Sequence, residues 1–148
     1  MTLSRTPSWL QQIDHTGDLG LRVTADTLPR LFERAAEGTF RVLTDLGDVR
    51  PAVASTVTVR APDREALVVR WLSELNFRHA AHRRLYGAFA VSSVEAQGDE
   101  WVLEATVRGE PIDPERHVVH TEIKAVTFHG LEVQETEAGW TVQVIFDL

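Results

Sequence analysis

The stretch TLPRLFERAAEGTFRVLTDLG, at residues 27–47, predicts the first helix of the chain, and the fold class follows from what lies on either side of it. Its apolar residues recur at spacings of three and four, the pattern of a helix with one buried face. Thr27 can cap the amino end, Pro29 lies in the first turn, where a missing N–H costs little, and Gly47 is a natural stop. The residues of the apolar face are Leu28, Leu31, Phe32, Ala35, Thr39, Val42, Leu43 and Leu46.

Strand patterns flank this helix on both sides. Before it, residues 9–13 predict a short strand, and residues 19–24 alternate between apolar side chains and polar or small ones, the period of a half-buried strand. The polar segment 14–18, which contains a glycine, joins these two strands as a hairpin. After the helix, residues 53–60 alternate in the same way.

A second helix and a second hairpin follow. Asp63 is placed to cap a helix whose buried stripe lies within residues 67–75. Residues 85–95 and 101–108 then predict two antiparallel strands, joined by a turn at residues 97–99.

The last part of the chain predicts two more strands, Ile123 to Val133 and Trp140 to Phe146, separated by Glu137-Ala138-Gly139. Strands therefore dominate, hairpins recur, and two helices interrupt them without a regular alternation. This order predicts an α+β fold, a mostly antiparallel β-sheet with two helices packed on one face. A length of 148 residues suits a single domain spanning residues 1–148.

Composition narrows the classes of function. The chain has no cysteine, which excludes disulfide scaffolds, thiolate zinc sites and cysteine nucleophiles and fits a reducing compartment. A net charge of −7 with scattered basic residues argues against direct nucleic-acid binding and favours metal cations or a basic protein partner. Neither a signal peptide nor a bilayer-spanning stretch is evident, so we expect a cytoplasmic protein with no membrane contact.

The chain has a single lysine, Lys124, among fifteen basic residues. A strong arginine bias replaces lysine wherever any cation suffices. The lysine that is left is either a chance survivor or a position that needs a compact, mobile ammonium group in place of a planar guanidinium.

Two acidic places are candidates for binding a cation. The segment Asp14-His15-Thr16-Gly17-Asp18 lies where two predicted strands meet, although Asp and Gly also suit an ordinary turn. At the other end, Asp147 and Leu148 close a predicted buried strand, which would hold two carboxylates side by side. Two fixed negative charges favour a hard cation with oxygen ligands, whereas the alternative is a solvated strand end.

The histidines offer a weaker metal hypothesis. The pairs His117-x-x-His120 and His79-x-x-His82 have spacings that can bring two rings together, but both lie in charged stretches expected to be exposed. Zinc in a catalytic site needs three protein ligands, and no cysteine is present to complete the set.

Four segments, in order and at appropriate spacings over nearly the whole chain, resemble the archease family. They are DHTGDLG at 14–20, WLSEL at 71–75, EIKAVTFHGLEV at 122–133 and VIFDL at 144–148. The resemblance implies a small α+β protein that is not itself an enzyme and that activates an RtcB-type RNA ligase in tRNA splicing or RNA repair. It would promote guanylylation of the ligase and multiple turnover, and the family is also described as chaperone-like.

The resemblance also implies a site. Asp18, Asp147 and the main chain of Leu148 match the family's ligands for a divalent metal, calcium or manganese, and Lys124 matches its functional lysine. By the same matching, Asp14 and His15 are supporting residues.

Two other functions fit the same residues. One is a stand-alone metal-dependent phosphoester hydrolase that uses the acidic cluster, although no general base or substrate-reading motif accompanies it. The other is a general protein chaperone, whose action should not depend on Asp18 or on a metal.

Overall fold

The computed structural model describes residues 6–15 and 18–148, and the side chains of all of these except Asp14 and His15. Its strands and helices are β1 Leu10–His15, β2 Asp18–Ala25, α1 Leu28–Leu43, a short 3-10 helix Leu46–Asp48, β3 Val53–Ala61, α2 Arg64–His82, β4 Arg84–Gln97, β5 Glu100–Pro111, β6 Ala125–Thr127, β7 Val133–Thr136 and β8 Gly139–Asp147. The α+β prediction is confirmed, with every strand pairing antiparallel.

The strands form two sheets, where the sequence had predicted one. The first sheet has the order β1-β2-β8-β6, with β7 also on β8, and the second has the order β3-β5-β4. Both predicted hairpins are present: β1 pairs with β2, and β4 pairs with β5. The position of β8 at the centre of the first sheet matters most for function, because it places the end of the chain beside the start of β2.

The two helices contact both sheets and enclose one core. Helix α1 packs against β2 and β4, while α2 packs against β3 and β6. Trp71 on α2 is fully buried and its indole N–H donates to the carbonyl oxygen of Phe32 on α1 at 2.9 Å, which locks the helices together. Because the buried side chains of both sheets join one continuous cluster, the fold behaves as one packed unit.

Helix starts agree with the sequence, and one helix end does not. The side chain of Thr27 accepts a hydrogen bond from the N–H of Arg30 at 3.3 Å, and that of Asp63 accepts one from Ala66 at 2.7 Å, as predicted for the two caps. Helix α1 ends at Leu43, before Gly47, because Thr44 turns extended and its hydroxyl donates to the carbonyl oxygen of Val118 at 2.7 Å.

The predicted strand from Ile123 to Val133 is wrong as a continuous element. Of its residues, Ala125–Thr127 form β6 and Val133 begins β7, and β6 and β7 pair with two separate stretches of the same edge of β8. The chain between them leaves the sheet through a turn in which the N–H of Leu131 bonds to Phe128 and Gly130 has φ of +64°. A glycine adopts that conformation without strain, which explains why the strand can break there.

In the part of the chain that the structure describes, no helix combines the length and the apolar character needed to cross a bilayer.

Candidate functional site

Asp18 and Asp147 are direct cross-strand partners. Asp18 is the first residue of β2 and Asp147 the last residue of β8, and these neighbouring strands run antiparallel. Residues directly opposite on antiparallel strands project from the same face of the sheet, with Cβ atoms about 5 Å apart. The pairing therefore brings together two carboxylates that lie at opposite ends of the sequence.

The strand beneath Asp147 is held firmly. Val142, Val144 and Phe146 are 1%, 1% and 0% exposed, as the alternating pattern predicted. Strand β8 also has partners on both sides, β2 on one and β6 with β7 on the other. Asp147 itself is exposed and Leu148 is half-buried. The carboxyl-terminal end of β8 is therefore fixed in position yet open to solvent.

Lys124 lies next to the same pair. Its backbone N–H donates to the carbonyl oxygen of Asp147 at 2.8 Å, and the following residue, Ala125, is the cross-strand partner of Asp147. The preceding residue, Ile123, is buried, and its carbonyl oxygen accepts a hydrogen bond from the Asn76 side chain at 2.9 Å. These anchors fix the backbone at Lys124, whose side chain is exposed.

The donor atoms of this site suit a hard divalent cation. Within the described ranges, neither the Asp18 nor the Asp147 carboxylate has a hydrogen bond or ion pair to a protein side chain. Like charges directly opposite on a sheet destabilise it, and a cation bound between them removes that cost. Carboxylate and main-chain oxygens are what calcium and manganese prefer, so Asp18, Asp147 and Leu148 fit such an ion.

The site offers few side-chain ligands for such a cation. In the described residues, no group of three or more His, Cys, Asp or Glu side chains is placed to hold a metal. Two carboxylates therefore need main-chain oxygen at Leu148, together with water or a partner protein, to complete a coordination shell of six or more. The backbone of Asp14 pairs with Leu19 and that of His15 with Asp18, whereas the supporting role predicted for their side chains lies outside the described residues.

The histidine pairs do not form zinc sites in the described structure. His79 and His117 are 8% and 5% exposed, so the expectation that both pairs lie in exposed stretches was wrong. The His79 ring packs edge-on against Phe40, and its Nδ1 lies 2.9 Å from the carbonyl oxygen of Arg84. His120 Nε2 lies 3.0 Å from an Asp45 carboxylate oxygen, whereas His117 Nε2 bonds to Glu110.

A buried polar network that sequence reasoning missed centres on Glu110. Its carboxylate accepts hydrogen bonds from Arg116, from the N–H of Arg50 at 2.7 Å and from His117 Nε2 at 2.9 Å. Because His117 Nδ1 accepts from the N–H of Asp113, the ring carries its proton on Nε2. The Arg116 hydrogen bond, followed by that from Arg50, lowers the pKa of Glu110 to about 2.

The network ties down the loop that leads to Lys124. Arg116 also donates to the carbonyl oxygen of Asp48 at 2.8 Å, which joins the loop to the 3-10 helix. Further along, the N–H of His120 donates to Leu43 at 2.8 Å, which joins the loop to the end of α1. The only sequence signal was an acidic residue where β5 is buried, which is too weak to identify its partners.

Comparison with known proteins supplies the remaining evidence. A model of the "Archease protein family (MTH1598/TM1083)" matches residues 10–148. A protein archease of Methanopyrus kandleri is 36% identical over 138 residues, covering 93% of this chain and 98% of that protein. One from Methanosarcina acetivorans is 36% identical over 138 residues, covering 93% of this chain and 94% of that protein.

Two solved structures share the fold. The solution structure of Methanobacterium thermoautotrophicum protein 1598 matches with a TM-score of 0.80 at 32% identity, covering 95% of this chain and 99% of that one. The crystal structure of a Thermotoga maritima archease, described as a possible chaperone, matches with a TM-score of 0.55 at 16% identity, covering 100% of both chains. At that lower identity the likeness concerns the fold alone.

Proposed function

Because the chain belongs to the archease family, we propose that it is an accessory protein that activates an RtcB-type RNA ligase in tRNA splicing or RNA repair. It promotes guanylylation of the ligase and so allows each ligase molecule to complete many turnovers. The observation that carries this proposal is the direct pairing of Asp18 with Asp147, next to the anchored backbone of Lys124.

The acidic pair holds a divalent cation, calcium or manganese, together with main-chain oxygen at Leu148. The cation supplies charge neutralisation and positioning for phosphate oxygens. Asp18 and Asp147 orient this charge from a rigid sheet, because β8 is buried beneath them and paired on both sides. Pre-organised ligands of this kind lose little entropy when the partner docks.

Lys124 provides a second, mobile positive charge beside the first. Its backbone is held by the bond to Asp147, whereas its exposed side chain is free to reach a phosphate oxygen or an acidic group of the ligase. An ammonium group at the end of four methylenes can follow such a target, which suits a contact made only in the complex.

Overall charge supports a protein partner in preference to free RNA. The net charge of −7 repels the phosphate backbone, so the RNA is bound by the ligase and this protein contacts the ligase. A basic surface around the ligase's nucleotide site would complement the acidic pair and accelerate docking.

A multiple-turnover ligation assay tests the proposal. The cognate ligase, GTP, manganese and a 3′-phosphate RNA are incubated with or without this protein at one tenth of the ligase concentration. We expect joined RNA to exceed one equivalent per ligase only when the protein is present, and Asp18→Asn to remove this effect. Asp99→Asn is the matched control, since Asp99 is an exposed aspartate in the β4–β5 turn.

Three results would contradict the proposal and separate the alternatives. If the ligase turns over equally well without the protein, the partner is wrong. Hydrolysis of a generic phosphoester by the protein alone, lost in Asp18→Asn, would instead support a hydrolase. Suppression of aggregation of unrelated proteins, unchanged in Asp18→Asn and in chelator, would support a general chaperone.

A further inference from the structure

A pocket lies between the carboxyl-terminal half of α2 and the three-stranded sheet, with a volume of about 320 Å³. One wall is a stripe of α2, in which Glu74, Arg78 and His82 follow one another at intervals of four residues and so share a helix face. Neither Asp18, Asp147 nor Lys124 lines this pocket, so it is separate from the acidic pair.

The sheet side of the pocket is formed by a row of three residues on neighbouring strands. Gly109 on β5 pairs with Val53 on one side and with Tyr86 on the other, which makes a cross-strand row with no side chain at its centre. Val53 is 48% exposed at the open rim, and Tyr86 is 4% exposed at the inner wall. The pocket is therefore lined on this side by an apolar rim and a phenol.

Both carboxylates that line the pocket are already engaged. Glu74 accepts a hydrogen bond from Arg78 Nε at 2.8 Å. Glu110 is held by Arg116 and by the N–H of Arg50, which keep its pKa near 2 and its charge compensated. Neither acid is free to neutralise a further cation.

Two nitrogen-bearing side chains that line the pocket, those of Arg84 and His82, lack such a partner among the described residues. Arg84 lies two residues before Tyr86 on β4 and projects from the same face. Arg84 is half-buried, and in the described residues its guanidinium makes no hydrogen bond or ion pair with another side chain or carbonyl group. The imidazole of His82 packs edge-on against Phe77, at 5.3 Å between ring centroids, and makes no hydrogen bond or ion pair within the described part of the chain.

Arg78 lines the same space, where it is paired with Glu74. Burial lowers the pKa of its guanidinium, but hydrogen bonds to Glu74 and Tyr86 more than offset this, so the net shift is upward. The partial negative charge at the end of α2 opposes an anion here. Arg78 is paired with Glu74, so Arg84 supplies the uncompensated full charge that outweighs it.

We propose that this pocket binds a phosphate monoester. Arg84 presents a planar fork of N–H donors that matches two phosphate oxygens, and the hydroxyl groups of Tyr86 and Ser55 line the same space. The volume exceeds that of a bare phosphate ion. The exposed side chain of Val53 gives the organic group an apolar surface to rest against, which is why a monoester fits better than inorganic phosphate.

Titration calorimetry with phenyl phosphate and with inorganic phosphate tests this site on the full chain. We expect phenyl phosphate to bind more tightly than inorganic phosphate, and Arg84→Gln to weaken it by about tenfold or more, as expected for loss of a charge-assisted hydrogen bond. Arg22→Gln is the matched control, because Arg22 is an exposed arginine of the other sheet whose side chain donates a hydrogen bond to Gln143 at 2.9 Å.

The proposal is overturned if phenyl phosphate does not bind to the wild-type protein, or if Arg84→Gln and Arg22→Gln bind it equally well. Thermal melting of both variants checks the fold. His82→Ala gives a second test that leaves Arg84 in place: phenyl phosphate should bind this variant more weakly than the wild type, because the imidazole ring of a residue that lines the pocket is lost. Equal affinity of this variant and the wild type would also count against the site. The ligation assay is independent of these outcomes.

Discussion

Asp18 and Asp147 face each other directly across β2 and β8, and the carbonyl oxygen of Asp147 is bound at 2.8 Å by the backbone N–H of Lys124. Three functional candidates from three different parts of the sequence are thus brought to one end of one sheet. The carboxylates lie at the ends of two paired, largely buried strands, so their separation is set by strand pairing and does not depend on a loop.

Neutralising Asp18 should show separately what its carboxylate contributes to stability and what it contributes to metal binding. In chelator, we expect Asp18→Asn to be as stable as the wild type or more stable by a few tenths of a kcal/mol, because a like-charge pair is removed. With calcium or manganese at a hundred times its dissociation constant, the wild type should gain about 2.7 kcal/mol and the variant should not. Urea unfolding with and without metal measures both quantities.

Asp99→Asn makes the same change of charge at an exposed turn and should respond to metal as the wild type does. A metal response in Asp18→Asn equal to that of this control would contradict the site assignment.

Replacing the single lysine should impair function without affecting the fold. Lys124→Ala retains the backbone N–H that bonds to Asp147, and the lost side chain is exposed, so its unfolding free energy should change by less than about 0.5 kcal/mol. Ligase stimulation should fall sharply while metal binding persists. Lys124→Arg keeps the charge and should recover only part of the activity, because a guanidinium is planar and less mobile. Full stimulation by Lys124→Ala would refute a role for the side chain.

The proposed role of the Leu148 main chain as a metal ligand can be tested by adding residues after Leu148. Protein expressed to end at Leu148 is compared with protein carrying a few added residues, which convert its terminal carboxylate into an amide. The extended form should bind metal about tenfold more weakly, because one charged ligand is lost at a site with few others. Melting temperature against metal concentration measures the difference. Equal curves for the two forms would show that this carboxylate is not a ligand.

Local features of the fold were predictable because local sequence encodes them. Thr27 and Asp63 cap their helices as expected, since a side-chain oxygen before an apolar periodic stretch has few other roles. The turn at Gly98, where φ is +64°, joins β4 and β5 as expected. Each of these depends on contacts within a few residues.

Non-local features were predicted poorly for the same reason. No spacing could place Asp147 opposite Asp18, and the resemblance to a family was needed to connect them. The division of the sequence into two sheets depends on which strands pair. Burial of His117 could not be foreseen either, because its partners Glu110 and Asp48 come from β5 and from the 3-10 helix.

Gly109 should be intolerant of any side chain. A Cβ added there would clash with the carbonyl oxygen of Leu85, where β4 departs from regular pairing after Tyr86. The obstacle is backbone, which cannot move aside cheaply, so we expect Gly109→Ala to cost about 3 kcal/mol or more. Gly47→Ala is the control, with nothing within 4 Å of the added Cβ, and should be neutral or slightly stabilising. Similar unfolding free energies for the two variants would contradict the geometry.

Lowering the pH should reduce the free energy of unfolding, in part through protonation of Glu110. Its folded pKa is lowered from 4.5 to about 2, by the hydrogen bond from Arg116 first and that from Arg50 next, so the folded state favours the ionised carboxylate. The resulting stabilisation is fully present above about pH 4.5 and is lost as the pH falls towards 2, where the carboxylate becomes protonated in the folded state. Other carboxylates titrate in the same range, so a difference between variants is needed to isolate this one.

Urea unfolding of the wild type and of Glu110→Gln, from pH 7 to pH 2.5, isolates the contribution of this carboxylate. The quantity compared is the difference between the two unfolding free energies at each pH. It should be large and constant down to about pH 4.5 and should then shrink, because the glutamine variant has no charge to lose at this position. Glu115→Gln is the control: Glu115 is exposed on the same loop, and its difference from the wild type should stay near zero throughout. If the Glu110→Gln difference does not change with pH, the ionised carboxylate is not what holds the loop before Lys124, and packing of His117 must do so instead.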